Sequence, residues 1–370
     1  MSVPVPVRFM IQKQLEQLNC MKMPGVAEGA VLNLQGDQYR AYTTITESIS
    51  ASRHTGQLFF VTGPGGTGKS FLLKALQHWC DTSRQKCILL APTGIAARNI
   101  DGQTIHSALS IFQEGGAYHS GIFNNFSEKR QLLSEFKTLF IDEISMVEAD
   151  LLNFISWLFS KLLNDPRPFG NLNVVLYGDL MQLSPIYGLS VFKSDLWQFF
   201  HPLFLDEPQR QADGRFFNVL NKIRFGNIDE EVKEALAERF AAYNPSTELW
   251  NTTFLASLRK EARLLNQTVL DSIPTNSDSF VSLADDFQNS QPVVTTDDST
   301  IFKNGTNMPR TVVCTPGAKV MFLTNAMLAT KGISNGTVGV ITSVDADGKV
   351  EAAFLTKNRI EVSASNITLI

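Results

Sequence analysis

The stretch "VTGPGGTGKS", Val61 to Ser70, decides the fold. Gly63, Gly68, Lys69 and Ser70 stand at the spacing of a phosphate-binding loop. The apolar run "QLFFVTG" ahead of it reads as a buried strand, and "GKSFLLKALQHWC" behind it reads as a helix. A glycine-rich turn between strand and helix lets successive backbone N–H groups and the helix N-terminus point at phosphate oxygens. Gly63, Gly65, Gly66, Thr67 and Gly68 form that cradle here. Lys69 would neutralise the β- and γ-phosphates, and the Ser70 hydroxyl would hold Mg²⁺. ATP and Mg²⁺ are therefore the expected cofactors. What the nucleotide is used for has to come from the surrounding sequence.

Outward from the loop, "KCILLAPT", "TLFIDE" and "NVVLYGD" read as further strands, and "SMVEADLLNFISWLFSKLL" carries apolar residues at helical spacing. Alternating strand and helix give an α/β fold, a parallel sheet with helices on both faces. A second region begins near "LFLDEPQRQ", with helices in "GRFFNVLNKIRFG" and "DEEVKEALAERF", a strand in "TTFLAS" and a helix in "RKEARLLNQTVLDSI". From about residue 276 polar residues dominate. After them come β-rich runs, "AKVMFLTN", "GTVGVITSV" and "KVEAAFL", with "DADG" as a turn, which together suggest a small β-barrel module.

Composition bounds the function classes. The 370 residues are 44% hydrophobic and 18% charged with a formal net charge of -4. A nucleic-acid partner would then be held by a local groove, not by overall charge. Cys20, Cys80, Cys87 and Cys314 are scattered and form no CxxC pair, which suggests reduced thiols in an intracellular protein and no zinc site. "MSVPVPVRFM" lacks an apolar leader core, and no apolar run reaches the length of a membrane span, so no membrane partner is expected.

Asp142 closes the apolar strand of "LFIDEISMV", where a carboxylate coordinates Mg²⁺ opposite the loop. Glu143 beside it is placed to deprotonate the attacking water. Taken alone, the two acids could equally cap the helix that follows. The loop about 70 residues upstream in the same expected sheet favours catalysis.

Five ordered segments, "LQGDQYRAY", "APTGIAARNIDGQTIHSAL", "LFIDEISMV", "VVLYGDLMQLSPI" and "QRQADGRFFNVLNKIRFG", complete the pattern. The chain resembles the petite-integration-frequency family of 5′-to-3′ DNA helicases, superfamily 1B, from Gln38 onward. The resemblance implies a RecA-like ATPase core at 34–202 after an N-terminal extension at 1–33. It implies an incomplete second RecA-like domain at 203–275 and a linker with a β-rich insertion at 276–370. Gln38 would read adenine, Gln182 would sense the γ-phosphate, and Arg210 would bring a cation to it from the second domain when the cleft closes. Outside the resemblance, Gln182 could be a solvated loop amide and Arg210 a surface cap.

The resemblance also implies DNA contacts at Pro92, Thr93, Gly94, Thr104 and His106, where small residues and hydroxyls let backbone N–H groups approach phosphates. His106 by itself reads more readily as a core or cap histidine. In "SIFQEGGAYHSGIFNNFSEKR", Phe112, Tyr118, Phe123 and Phe126 could stack bases or wedge strands apart, or fold back on the core.

Two departures stand out. Ser184 replaces the first of two family prolines, and the sequence ends at "VSASNITLI" before the family's TxHxSQG segment and last arginine motif. The implied activity is ATP-driven 5′-to-3′ translocation on single-stranded DNA and unwinding of forked duplexes, in repair, recombination or telomere maintenance. A nucleotide-switched single-strand clamp, an inactive fragment and the RecD-type exonuclease helicase subunit stay as alternatives. A monomer is expected, in the nucleus or mitochondrion of a eukaryote or the cytoplasm of a bacterium or infected cell.

Overall fold

The short apolar runs become strands of one parallel sheet, and the helical repeats between them cover its faces. The computed structural model describes residues 5–20, 33–52, 55–123, 128–210, 213–243, 249, 252–273, 279–283, 286–288, 291–293, 311–322, 337–345, 350–355 and 360–365. Helix α1 (Val5–Cys20) precedes α2 (Gly36–Ala51), β1 (Leu58–Thr62), α3 (Lys69–Thr82), β2 (Cys87–Ala91), α4 (Gly94–Asn99), β3 (Gln103–Thr104) and α5 (Ile105–Ala108). A hairpin of β4 (Ile111–Glu114) and β5 (Ala117–Ser120) leads to α6 (Glu128–Ser134), β6 (Thr138–Ile141), α7 (Ala149–Leu163), β7 (Asn173–Gly178) and β8 (His201–Phe204). Helices α8 (Gly214–Arg224), α9 (Glu230–Ala242) and α10 (Arg259–Ser272) follow.

The main sheet runs in the order β3-β2-β6-β7-β1-β8, every pairing parallel. Successive residues on a strand face opposite sides, so each central strand feeds two cores. Phe59, Val61, Leu89, Val175 and Tyr177 pack with Ile45 of α2 and Leu72 and Leu76 of α3. Phe60, Leu90, Leu139, Val174 and Leu176 pack with Leu152, Ile155 and Phe159 of α7. Burying one such side chain fully is worth about 1.5–3 kcal/mol. Many of them together hold the strand ends rigidly. Because the strands run one way, Thr62, Ala91, Thr104, Ile141, Gly178 and Phe204 end along one edge, the edge where parallel sheets bind ligands.

The chain divides into two compact units, one of residues 25–242 and one combining 1–24 with 243–370. The segment expected as an N-terminal extension thus supplies, through α1, part of the second unit's core. Val7, Met10, Ile11 and Gln14 recur at helical spacing along one face. The three apolar residues cluster with Ile273, Cys314, Ala318, Val340, Ile341 and Val350. Gln14, 1% exposed, donates Nε2 to the Gly317 carbonyl at 3.1 Å.

In that unit β9 (Phe280–Leu283), β10 (Asp286–Gln288), β11 (Gln291–Val293), β12 (Thr311–Cys314), β13 (Lys319–Met321), β14 (Val338–Val344), β15 (Val350–Leu355) and β16 (Ile360–Ser365) form antiparallel pieces. Their orders are β13-β14-β15-β16, β12-β9 and β10-β11. Among the described residues these pieces do not close into the expected barrel, because closure requires the first and last strands to pair. The expected "DADG" turn lies mostly outside the described residues.

Two further expectations differ from the structure. Residues 252–257, "TTFLAS", form no strand, and Leu255 is 97% exposed. A strand's backbone bonds come from its neighbours, and none is supplied there among the described residues. The expected second RecA-like domain at 203–275 likewise has no sheet of its own among the described residues. Strand β8 starts just before it and joins the first sheet, α8 and α9 lie in the first unit, and α10 lies in the second. No helix among the described residues is long and apolar enough to cross a membrane.

Candidate functional site

The phosphate loop emerges from β1 and is folded tightly against its surroundings. A methyl carbon on Gly63 would overlap the Leu205 carbonyl oxygen and lie 3.1 Å from both the Leu205 carbonyl carbon and Thr67 Oγ1. Gly68 takes φ 84 as the residue that starts α3, a conformation suited to glycine. Thr67 is fully buried and donates Oγ1 to the Pro64 carbonyl at 3.0 Å. Lys69 Nζ donates to the carbonyls of Gly63 at 2.7 Å and Pro64 at 3.0 Å, so the ammonium lies across its own loop. Burial lowers the Lys69 pKa, and the carboxylates of Asp179, Glu143 and Asp142 oppose that shift. Ser70 is half-buried in the first turn of α3.

Gln38 on α2 is 3% exposed and donates Nε2 to the Thr67 carbonyl at 3.0 Å. Its amide nitrogen therefore braces the loop. Gly66 accepts two backbone bonds, from the N–H groups of Gln209 at 2.8 Å and Arg210 at 3.0 Å. Arg210, expected to arrive from across a cleft, lies instead in the same compact unit as the loop and is tied to it by its backbone. The cause is β8. Its continuation keeps Leu205 N–H on the Thr62 carbonyl at 2.8 Å, and the chain then runs directly past the loop.

One strand beyond β7, Asp142 follows β6 with 5% exposure. Burial raises its pKa to about 6, against the pull of the Glu143 N–H bonded to Oδ1 at 2.9 Å. Glu143 adopts φ 51 and ψ 45, a left-handed conformation that costs a non-glycine residue about 1–3 kcal/mol. Such strain concentrates at functional positions. Burial disfavours the charged form of this carboxylate, and a bound cation would stabilise it. Ser70 and Asp142 are both oxygen donors, and Mg²⁺ takes one or two carboxylates together with phosphates and water. No cluster of three or more metal-binding side chains exists among the described residues. The donor set thus fits a phosphate-borne Mg²⁺ and not a protein cage.

Between them β7 ends at Gly178, and Asp179, 1% exposed, gathers four bonds. Its Oδ1 accepts from Met181 N–H at 3.1 Å and Arg224 Nη2 at 2.7 Å. Its Oδ2 accepts from Gln182 Nε2 at 3.3 Å and Arg224 Nε at 2.8 Å. Because β6, β7 and β1 are adjacent, the acids, Gln182 and the loop share one stretch of the edge.

Farther along that edge, the pairing of Ala91 with Thr104 sets Pro92, Thr93 and Gly94 beside Thr104 and His106. Thr93 accepts the Ala96 N–H as the cap of α4, and Thr104 accepts the Ser107 N–H as the cap of α5, both at 3.3 Å. Both hydroxyls are engaged as helix caps, while His106 is exposed. The aromatic stretch splits. Tyr118 donates its hydroxyl to the Glu148 carboxylate and packs on Phe154, and Phe123 packs on Trp157. Phe112 stays 45% exposed on the β4–β5 hairpin, stacked on His119 at 5.6 Å. Phe126 lies outside the described residues.

A sequence profile described as PIF1-like helicase matches residues 33–234, more than half of the chain. The chain belongs to the PIF1-like helicase family. This PIF1-like chain is 29% identical over 302 residues to the ATP-dependent DNA helicase PIF1 of Mus musculus, which covers 80% of the chain and 44% of the mouse protein. A solved structure of DNA unwinding at forked dsDNA by two coordinating Pif1 helicases superposes with a TM-score of 0.68 at 26% identity, covering 90% of this chain and 76% of that one. Pif1 helicase from Bacteroides in complex with ADP-AlF3 and ssDNA superposes at 0.58 and 25% identity, covering 87% and 78%. The PIF1-like chain spans about half the length of the curated mammalian relatives it matches. The shared fold is the RecA-like α/β core, as the sequence implies.

Sequence reasoning passes over two residues of the PIF1-like site. Asp179 reads only as the end of a strand, and Arg224 is one unremarked basic residue in "GRFFNVLNKIRFG". The available signal is the helical spacing of Phe217, Asn221 and Arg224, which sets them on one face of α8.

Proposed function

We propose that this chain is the motor region of an ATP-dependent DNA helicase that couples Mg-ATP hydrolysis to 5′-to-3′ movement on single-stranded DNA and to duplex unwinding. The observation that carries the reading is the convergence of the phosphate loop, the Asp142–Glu143 pair and the Asp179–Gln182 turn on adjacent ends of β1, β6 and β7. The relatives' printed activity supports the choice of DNA as the substrate.

In this reading Lys69 leaves the Gly63 and Pro64 carbonyls for the β- and γ-phosphates, and the loop N–H groups hold the remaining oxygens. Mg²⁺, held by Ser70 and Asp142, supplies charge neutralisation at the phosphates. Glu143 takes the proton of the attacking water. Gln182 reports the γ-phosphate, and Arg210 stabilises transition-state charge, a contribution worth about a thousandfold or more in rate. Gln38 braces the loop beside the adenine it reads. DNA phosphates meet the backbone at 92–94 and at 104–106, with His106 and Phe112 available to the bases. Residues 276–370 carry the inserted β-rich module, and the protein works as a monomer inside the cell, in genome repair and maintenance.

DNA-stimulated ATP hydrolysis by the 370-residue chain tests this, with Lys69→Ala as the control. Stimulation by single-stranded DNA that disappears in the variant is expected. Turnover indifferent to DNA, or surviving Lys69→Ala, refutes the assignment.

A further inference from the structure

Arg224 sits in the last turn of α8, and its guanidinium grips both oxygens of Asp179, through Nε to Oδ2 at 2.8 Å and Nη2 to Oδ1 at 2.7 Å. A two-pronged grip fixes the plane of a carboxylate as well as its position. That plane matters because Asp179 Oδ2 also holds the Gln182 amide. Asp179 is 1% exposed and the Arg224 side chain 19%, so the pair is shielded from competing water.

Helix α8 carries a second tie. Its cap Asp213 accepts the Arg215 and Phe216 N–H groups. A few residues earlier, the Gln209 and Arg210 N–H groups sit on the Gly66 carbonyl of the phosphate loop. Eleven helical residues span about 16 Å. Helix α8 is therefore strapped between the phosphate loop, through the segment ahead of it, and the Gln182 turn, through its last residue.

We propose that Arg224 is a positioning residue for nucleotide discrimination: by orienting Asp179 it holds the Gln182 amide where a γ-phosphate is read, so that ATP and ADP are told apart. The inference rests on the sensing role assigned to Gln182 above. ADP lacks the γ-phosphate and makes no call on the Gln182 amide, so its affinity should not depend on Arg224. Lysine keeps the charge but cannot reproduce the fork.

The test compares Arg224→Lys and Arg224→Met with the parent and with Gln182→Ala, all in the full chain. Affinities for ADP and for a β,γ-imido ATP analogue are measured with Mg²⁺, alongside kcat, KM and melting temperature. Both Arg224 variants should keep ADP affinity within about twofold, while the preference for the ATP analogue falls by about tenfold or more in Arg224→Met, a change of about 1.4 kcal/mol. Arg224→Lys should melt close to the parent and lose an intermediate share of that preference, which keeps the test valid if Arg224→Met folds poorly. An unchanged preference in Arg224→Lys and Arg224→Met overturns the proposal, as does an equal loss of ADP and analogue affinity in folded Arg224→Lys. An unchanged preference in Gln182→Ala also overturns it, and traces the failure to the sensing role instead of to Arg224.

Discussion

Gly63→Ala and Gly65→Ala make the same chemical change two residues apart in the phosphate loop, and the structure separates their outcomes. At Gly65 an added methyl meets nothing within 4 Å. At Gly63 it overlaps a backbone carbonyl, that of Leu205, whose N–H is bonded to Thr62 of β1. No side chain can rotate to relieve this contact. The Leu205 segment would have to retreat by about 1.5 Å to reach ordinary contact distance. Overpacking of this kind costs about 1–3 kcal/mol. In a unit of this size each kcal/mol lowers the melting temperature by about 2–4 °C, so Gly63→Ala should melt roughly 2–12 °C below the parent. Gly65→Ala should stay within about 0.5 kcal/mol of it. Scanning calorimetry on nucleotide-free protein makes the comparison. Equal melting of Gly63→Ala and the parent, or a larger loss in Gly65→Ala, would refute the packing argument.

Glu143→Gln should bind nucleotide as the parent does and stop turning it over, because the amide cannot take a proton; loss of binding would mean the roles of Asp142 and Glu143 are exchanged. The Asp142 carboxyl titrates at about 6 in the folded chain against roughly 3.9 when unfolded. Folded protein then holds the extra proton between those values, and stability falls as pH rises through them. In EDTA, Asp142→Asn should therefore melt above the parent near neutral pH by up to about 3 kcal/mol, with the gap closing toward about pH 4; a pH-independent gap contradicts this. Met10→Ala, at a side chain 2% exposed in the second unit's core, should cost about 2–5 kcal/mol and speed amide exchange in β14, and unchanged exchange there would separate α1 from that core. Affinity for single-stranded oligonucleotides should be nearly independent of sequence and fall steeply with salt; a flat salt response would rule out phosphate-led binding.

What was legible in the sequence follows how local each determinant is. Strands β1, β2, β6 and β7 lie inside the sheet, and strands buried on both faces read as continuous apolar runs. Strand β8 is not legible as a strand because "HPLF" is short and contains Pro202, which an edge strand tolerates and a central one does not. "TTFLAS" has strand-like composition, but composition cannot supply the neighbour that would bond it. The phosphate loop and the Asp142–Glu143 pair are each spelled within ten residues. Their braces are not. Gln38 reaches Thr67 from 29 residues away and Arg224 reaches Asp179 from 45, and no periodicity in one segment records a partner in another.

The place of α1 fixes an order of events during synthesis. Gly317, whose carbonyl accepts from Gln14, lies 303 residues downstream of it. At roughly 5–20 residues per second the helix leaves the ribosome roughly 15–60 s before that strand system is made. The nucleotide-binding unit is contiguous from 25 to 242 and can complete its core within that interval. Val7, Met10 and Ile11 meanwhile stay without the surface that buries them. The growing chain therefore carries the exposed apolar side chains of α1 alongside an already folded 25–242 unit, and the second unit closes only when its two distant pieces meet. Chaperones that recognise short apolar helices have that interval in which to act on this protein.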